Sequence, residues 1–200
     1  MFKKLKHVIV ILDNLYSYFY NLVAFLMNGL SIAQFKKFSI KGKLFIKIRG
    51  SLIAENDIKI NSGYRFNPIG GSNITSIVVY KGGEIHIGNN VGISNSAIVC
   101  TNKIIIKDDV FIGGDCKIYD TDFHSIYYED RILNGDIGAR SNPVYIGKGS
   151  FVGTGTTILK GVNIGDKSVI AAGSVVTKDI PSNEVWGGNP IKFLFKIEQS

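Results

Sequence analysis

The chain has little of what usually staples, breaks or metallates a small protein. It contains two cysteines, four prolines, three histidines and one tryptophan in 200 residues. Cys100 and Cys116 form no CxxC pair, so neither a disulfide framework nor a thiolate metal site of the usual spacing is encoded, and two isolated thiols suit a reducing cytosol. With so few prolines, the 23 glycines beside a 45% hydrophobic content indicate tight corners in an ordered chain rather than disorder. The lysines are not massed on one recognition helix. The formal charge of +7 therefore points to anionic partners such as a phosphorylated cofactor, an acidic sugar or a membrane surface, with nucleic acid disfavoured.

Nor is an export signal expected in the opening segment. The opening MFKKLKHVIVILDNLYSYFYNLVAFLMNGL begins basic and continues apolar, but Asp13, Asn14 and Asn21 interrupt the run and no small-residue cleavage site follows. The expectation is an amphipathic helical segment over 1–36 in a cytoplasmic protein. Two roles stay open for it: covering an open end of the core, or lying on the inner face of an anionic membrane with Lys3, Lys4 and Lys6 toward the head groups.

What the chain does have is a count of six. From Ile146 it divides into IGKGSF, VGTGTT, ILKGVN, IGDKSV, IAAGSV and VTKDIP. The leaders are Ile146, Val152, Ile158, Ile164, Ile170 and Val176. Ile and Val make up 46 of the 200 residues, so six in succession at fixed spacing has a chance probability of about one in seven thousand per frame. The fifth position is mostly small (Ser150, Thr156, Val162, Ser168, Ser174) and the second is often Gly or Ala. A period of six fits neither a helix nor a hairpin; it fits a short strand followed by a corner, three of which close a triangular coil. Ile146 is then expected under Ile164 and Val152 under Ile170. The count recurs at Ile87, Ile93 and Val99, slips by one residue, and resumes at Ile106, Ile112 and Ile118; residues 38–60 alternate more loosely. Cys116 falls in an inward small-residue slot.

Between Ile118 and Ile146 the count fails, since 28 residues are not a multiple of six. The segment must leave the wall as a loop, and a long loop on a regular solenoid usually serves binding or catalysis. It holds Asp120, Asp122, His124, Tyr127, Tyr128, Glu129, Asp130, Arg131, Asp136 and Arg140. A histidine there is suited to proton transfer near neutral pH, and Asp120 or Asp122 could orient its ring or equally cap the turn. His86, beside the inward Ile87, is expected at the surface.

These hexads, with DTDFHS at residues 120–125, AAGSVVTKDIP at 171–181 and GGNP at 187–190, resemble the left-handed parallel β-helix of the hexapeptide-repeat acyltransferases, and most closely the maltose, galactoside and polysaccharide O-acetyltransferases. The resemblance covers roughly residues 40–190, and the left hand of the coil comes from it alone. It implies an all-β solenoid over 37–182 with an inserted loop 119–145, preceded by the helical segment 1–36 and followed by a tail 183–200. It implies acetyl-CoA as cosubstrate without a metal, and a homotrimer with sites between neighbouring prisms. It assigns His124 as the general base and Asn95 as an acceptor contact; of the two neighbouring aspartates, Asp122 is the favoured orienting residue. The backbone at Thr154 and Ala172 is assigned to the pantetheine arm, Thr177 and Lys178 to the nucleotide end, and Lys192 to the phosphates where relatives often have arginine. The acceptor implied is a sugar hydroxyl in bacterial surface polysaccharide synthesis. Alternatives are an amino sugar, serine or a xenobiotic hydroxyl on the same fold, and more remotely a three-histidine zinc enzyme, for which His7, His86 and His124 are too few well-placed ligands, or a non-enzymatic binding coil.

Overall fold

The computed structural model describes residues 2–133 and 138–198. Its strands form three sheets whose neighbours come from successive turns of the chain. Face A begins with Phe38–Lys41 and Ile58–Asn61, face B with Phe45–Ile48 and Ser76–Val79, face C with Ser51–Ala54 and Glu84–Ile87, and each face climbs in parallel register. The chain thus winds as a triangular prism with edges AB, BC and CA, a left-handed β-helix.

Strands stack at about 4.8 Å, and that spacing selects the side chains. Inside face B, Ile46, Ile77, Ile98, Ile118, Ile158 and Val176 form one column. Inside face A, Ile60, Ile93, Ile112, Val152 and Ile170 form a second, and inside face C, Ile87, Ile106, Ile146 and Ile164 form a third. Ile146 lies under Ile164 and Val152 under Ile170, as the six-residue count predicts. Almost all of these side chains are fully buried.

The second and fifth hexad positions follow from the same spacing. A Cβ on Gly153 would lie 2.6 Å from the Ala172 nitrogen, and one on Gly147 2.6 Å from the Asp166 nitrogen, so the corner has no room for a side chain. At the fifth position a small hydroxyl turns inward and donates to a carbonyl of the coil above: Ser150 Oγ to Gly165 O at 2.9 Å, Ser168 Oγ to Pro181 O at 2.7 Å. Val162 holds the same position in the third hexad and is buried without such a bond.

One expectation shifts. Val99 is not inward: Ile98 and Cys100 are buried and Val99 faces out. The slip falls earlier, at Asn95, whose φ of +39° shortens the AB corner; the coil from Ile93 to Ile112 has nineteen residues instead of eighteen.

The lower end is closed by α1 (Phe2–Met27) and the short α2 (Ile32–Phe35). Phe25 packs edge-on against Phe35 and Phe38 at 5.1 and 5.2 Å. The first face-B strand is an open edge, and Asn21 of α1 and Asn28 just beyond it satisfy it. Asn21 accepts from Leu44 N–H and donates to Gly42 O, both at 2.9 Å, while Asn28 accepts from Ile48 N–H at 2.7 Å and donates to Ile46 O at 3.1 Å. Asp13 pairs with Arg65. Two of the three residues expected to spoil an apolar run, Asp13 and Asn21, are the helix's polar attachments to the prism. The remaining run, Ile9–Met27, is long and apolar enough by length and composition to cross a membrane. At the upper end Glu184–Gly187 continues face A and pairs antiparallel with Lys192–Lys196, with Trp186 packed on the core.

The column predicts the cost of a gap. Ile118→Ala, in the middle of face B, should lower unfolding free energy by about 2–5 kcal/mol in urea titration. A loss below about 1 kcal/mol would mean that the coils do not pack as a continuous core.

Candidate active site

The loop leaves at edge BC through a two-stranded neck. Asp122 N–H donates to Arg140 O and Asn142 N–H to Asp120 O, both at 2.9 Å, around an antiparallel bridge between Thr121 and Ser141. Asp120 roots the neck: fully buried, it accepts from Thr101 N–H at 2.8 Å, Thr101 Oγ1 at 3.0 Å and Asn102 N–H at 2.7 Å on the coil below, and from Cys100 Sγ at 3.2 Å. It is a cap. Asp122, the favoured orienting residue, instead forms an ion pair with Lys160 of the next coil at 2.8 Å. That pairing ties the loop upward through one of the two Asp122 carboxylate oxygens.

Phe123 follows in the left-handed region at φ +61°, its N–H on Thr121 Oγ1 at 3.1 Å and its ring 5.4 Å from Tyr119. A bulky residue at positive φ is strained, and such strain persists only where the surroundings hold it. Its effect is to turn the chain so that His124 stands exposed at the rim. Beyond it Ser125 is buried, donating to Asp130 Oδ2 at 2.8 Å, and its carbonyl accepts from Arg131 at 2.7 Å; this fastens α3 (Tyr128–Leu133). Asp136 lies outside the described residues. A cleft of about 320 Å³ opens at the neck between Tyr80, Thr101, Thr121, Phe123, Ala139 and Ser141, giving hydroxyls between two aromatic walls, a lining suited to a sugar ring.

The residues assigned to the cofactor fall on two edges. Thr154 and Ala172 stack one above the other on AB, where Gly173 N–H donates to Thr154 O at 2.8 Å and Gly114 N–H to Thr154 Oγ1 at 3.1 Å. Among the described residues the N–H groups of Thr154 and Ala172 make no hydrogen bond within the chain, so each can bind an amide-bearing rod. Lys192 opens the last strand opposite Gly187, at the same end of face A. Thr177 and Lys178 lie on BC, above Lys160. The Lys178 ammonium sits 5.2 Å from the centre of the Trp186 ring, a cation–π contact over the end of the coil.

Asn95 is not brought to His124. It lies on AB, 2% exposed, accepting from Gly63 N–H at 2.5 Å and donating to Asn67 O at 2.7 Å. It pins a second insertion, residues 62–75, to the corner, where a Cβ on Gly70 would come within 2.3 Å of the Asn95 Cβ. Its side-chain amide is thus held by this insertion. The insertion escaped the sequence reading, although NPIGG between Ile60 and Ile77 marks a turn-rich departure from the wall. With face B it encloses a cleft of about 460 Å³ that includes Asn73, Ser76, Asn95, Asp115 and Lys117. Face B thus carries a cleft at each of its edges.

Neither cysteine can serve as an acyl carrier. Burial, reinforced by the Asp120 carboxylate, pushes the Cys100 thiol up to about 12, and burial also raises Cys116.

The fold is that of a left-handed β-helix, and the family model for the hexapeptide repeat of succinyl-transferase matches residues 143–178. It is similar to the galactoside O-acetyltransferase of Escherichia coli K12, 40% identical over 117 residues that are 58% of this chain and 56% of that one. Among solved structures, a galactoside acetyltransferase in complex with coenzyme A aligns with TM-score 0.57 and 31% identity over 74% of this chain and 66% of the other. A hexapeptide-repeat acetyltransferase of Vibrio cholerae O1 biovar eltor, complexed with acetyl coenzyme A, aligns with TM-score 0.55 and 29% identity over 64% and 70%. The matched segment spans less than three fifths of the length of these curated relatives.

Two outcomes test this geometry. Lys160→Met should change global stability by less than about 1 kcal/mol, because the pair is partly exposed, while amide exchange over 121–141 accelerates; unchanged exchange would show that Lys160 does not hold the loop. Iodoacetamide at pH 8 should label neither cysteine until the protein unfolds, and rapid labelling of the folded chain would contradict their burial.

Proposed function

We propose that the protein transfers an acetyl group from acetyl-CoA to a sugar hydroxyl, with His124 as the general base. The observation that carries this reading is the single histidine at the rim of a loop rooted on one prism edge, beside a hydroxyl-lined cleft. The relatives named for acetyl transfer to galactosides, and the neighbour holding acetyl-CoA, support the reaction class.

The imidazole takes the proton of the acceptor hydroxyl as its oxygen attacks the thioester carbonyl, and a backbone amide stabilises the oxyanion. Collapse of the tetrahedral intermediate breaks the C–S bond and the imidazolium returns the proton to the departing thiolate. Transfer is direct, since both thiols are buried and held protonated.

The amide ladder on AB and the histidine on BC are separated by the width of face B, about 13 Å for four extended residues. A homotrimer in which edge AB of one prism meets edge BC of its neighbour would bring the two together on one acetyl-CoA. The acceptor class fits a unit of surface polysaccharide or its precursor.

His124→Ala should lower kcat by at least about 10²-fold, followed by free-thiol release with a panel of sugar hydroxyl and amine acceptors, while CoA binding persists. Retained turnover would remove His124 from the chemistry, and turnover on amines alone would replace the sugar hydroxyl by an amino acceptor.

A further inference from the structure

The polarity of α1 is turned inside out. Its prism-facing side carries Ser17 and Asn21, both buried, with Asp13 on Arg65, and Phe25 as its main apolar anchor. Its outer side presents Ile9, Leu12, Tyr16, Phe19, Val23 and Leu26, spaced by three and four residues and each about half exposed or more, followed by Met27 at 82%. A continuous apolar stripe of this length is not left in water without a role.

The charge of the chain is gathered around that stripe. The first 54 residues contain nine Lys and Arg against one acidic residue, Asp13, whereas the remaining 146 contain fourteen against fifteen. The whole net charge of the protein therefore belongs to the helix and the first coil. Lys36, Lys41 and Lys47 are exposed there, and Lys43 lies over the Tyr16 and Tyr20 rings at 4.6 and 5.3 Å, a cation among the aromatic residues favoured at a membrane interface.

We propose that α1 and the first coil form a docking surface for an anionic lipid bilayer, with the outer stripe sunk into the head-group boundary and the surrounding lysines on lipid phosphates. The helix lies on the membrane and does not cross it, because crossing would strip Asn21, Asn28 and Asp13 of the partners they hold on the prism. A second copy of the chain is the less fitting cover, since it would oppose one strongly cationic segment to another. A bilayer of anionic lipid matches both the apolar stripe and the charge around it.

Flotation of the full chain with phosphatidylcholine vesicles, with and without about one third phosphatidylglycerol, tests this apart from any enzymatic activity. The wild type should partition onto the anionic vesicles, less so at high salt. The pair Leu12→Glu and Phe19→Glu should lower partitioning at least about tenfold with circular dichroism and oligomeric mass unchanged. Should that pair fail to fold, Lys36→Gln, Lys41→Gln and Lys47→Gln together carry the test, with a loss of about tenfold or more and a weaker salt dependence. The proposal is overturned if the wild type stays with the soluble fraction, if it binds neutral and anionic vesicles alike, or if both sets of variants partition as it does. It is equally overturned if the glutamates instead break an oligomer, which would assign the stripe to another copy of the chain.

Discussion

Coil-on-coil contact at strand spacing is the constraint on which the rest depends. It demands that each inward residue fill the space above its counterpart and that corners such as those at Gly147 and Gly153 carry no side chain, and it lets small fifth-position hydroxyls such as Ser150 and Ser168 bond to the coil above. A wall built this way cannot absorb extra residues. Anything added must leave at an edge, and both long departures do, residues 62–75 at AB and the histidine loop at BC. The places where chemistry is available are therefore set by where the packing rule is broken.

The parts legible in the sequence are those in which a residue meets its own equivalent. Ile146 under Ile164 could be read without coordinates because both obey one local rule. Val99 was misread because the coil containing it places two residues inward on each of faces B and C, Ile98 with Cys100 and Ile104 with Ile106, and absorbs the change at a left-handed Asn95. The contacts of Asp122 and Asn95 were not legible for a different reason: their partners, Lys160 and the backbone of residues 63–67, come from other coils, and no pattern along the chain pairs them. The loop itself was legible, since a failed count needs only arithmetic. Its neck, its cap at Asp120 and the strained Phe123 were not.

The first helix shows how composition can be right and its meaning reversed. Asp13 and Asn21 do interrupt an apolar run, but they do so on the side that faces protein, where they close the open edge of the first coil. The lipid-like side is thereby left outward. A protein that acetylates a surface-polysaccharide precursor would gain from being held at the bilayer where such precursors are assembled, so the two proposals fit one another while resting on separate observations.

The central claim is that two different edges of the prism, one bearing the amide ladder and one the histidine, work together on a single acetyl-CoA between neighbouring copies. The direct measurement is co-refolding of two inactive chains, His124→Ala and Ala172→Arg, followed by assay of the mixed assembly. In random trimers about a quarter of the sites combine an intact histidine edge with an intact amide edge, so the mixture should regain about that fraction of wild-type turnover. Mixed assemblies that form and stay as inactive as either parent would show that the two edges do not meet across copies.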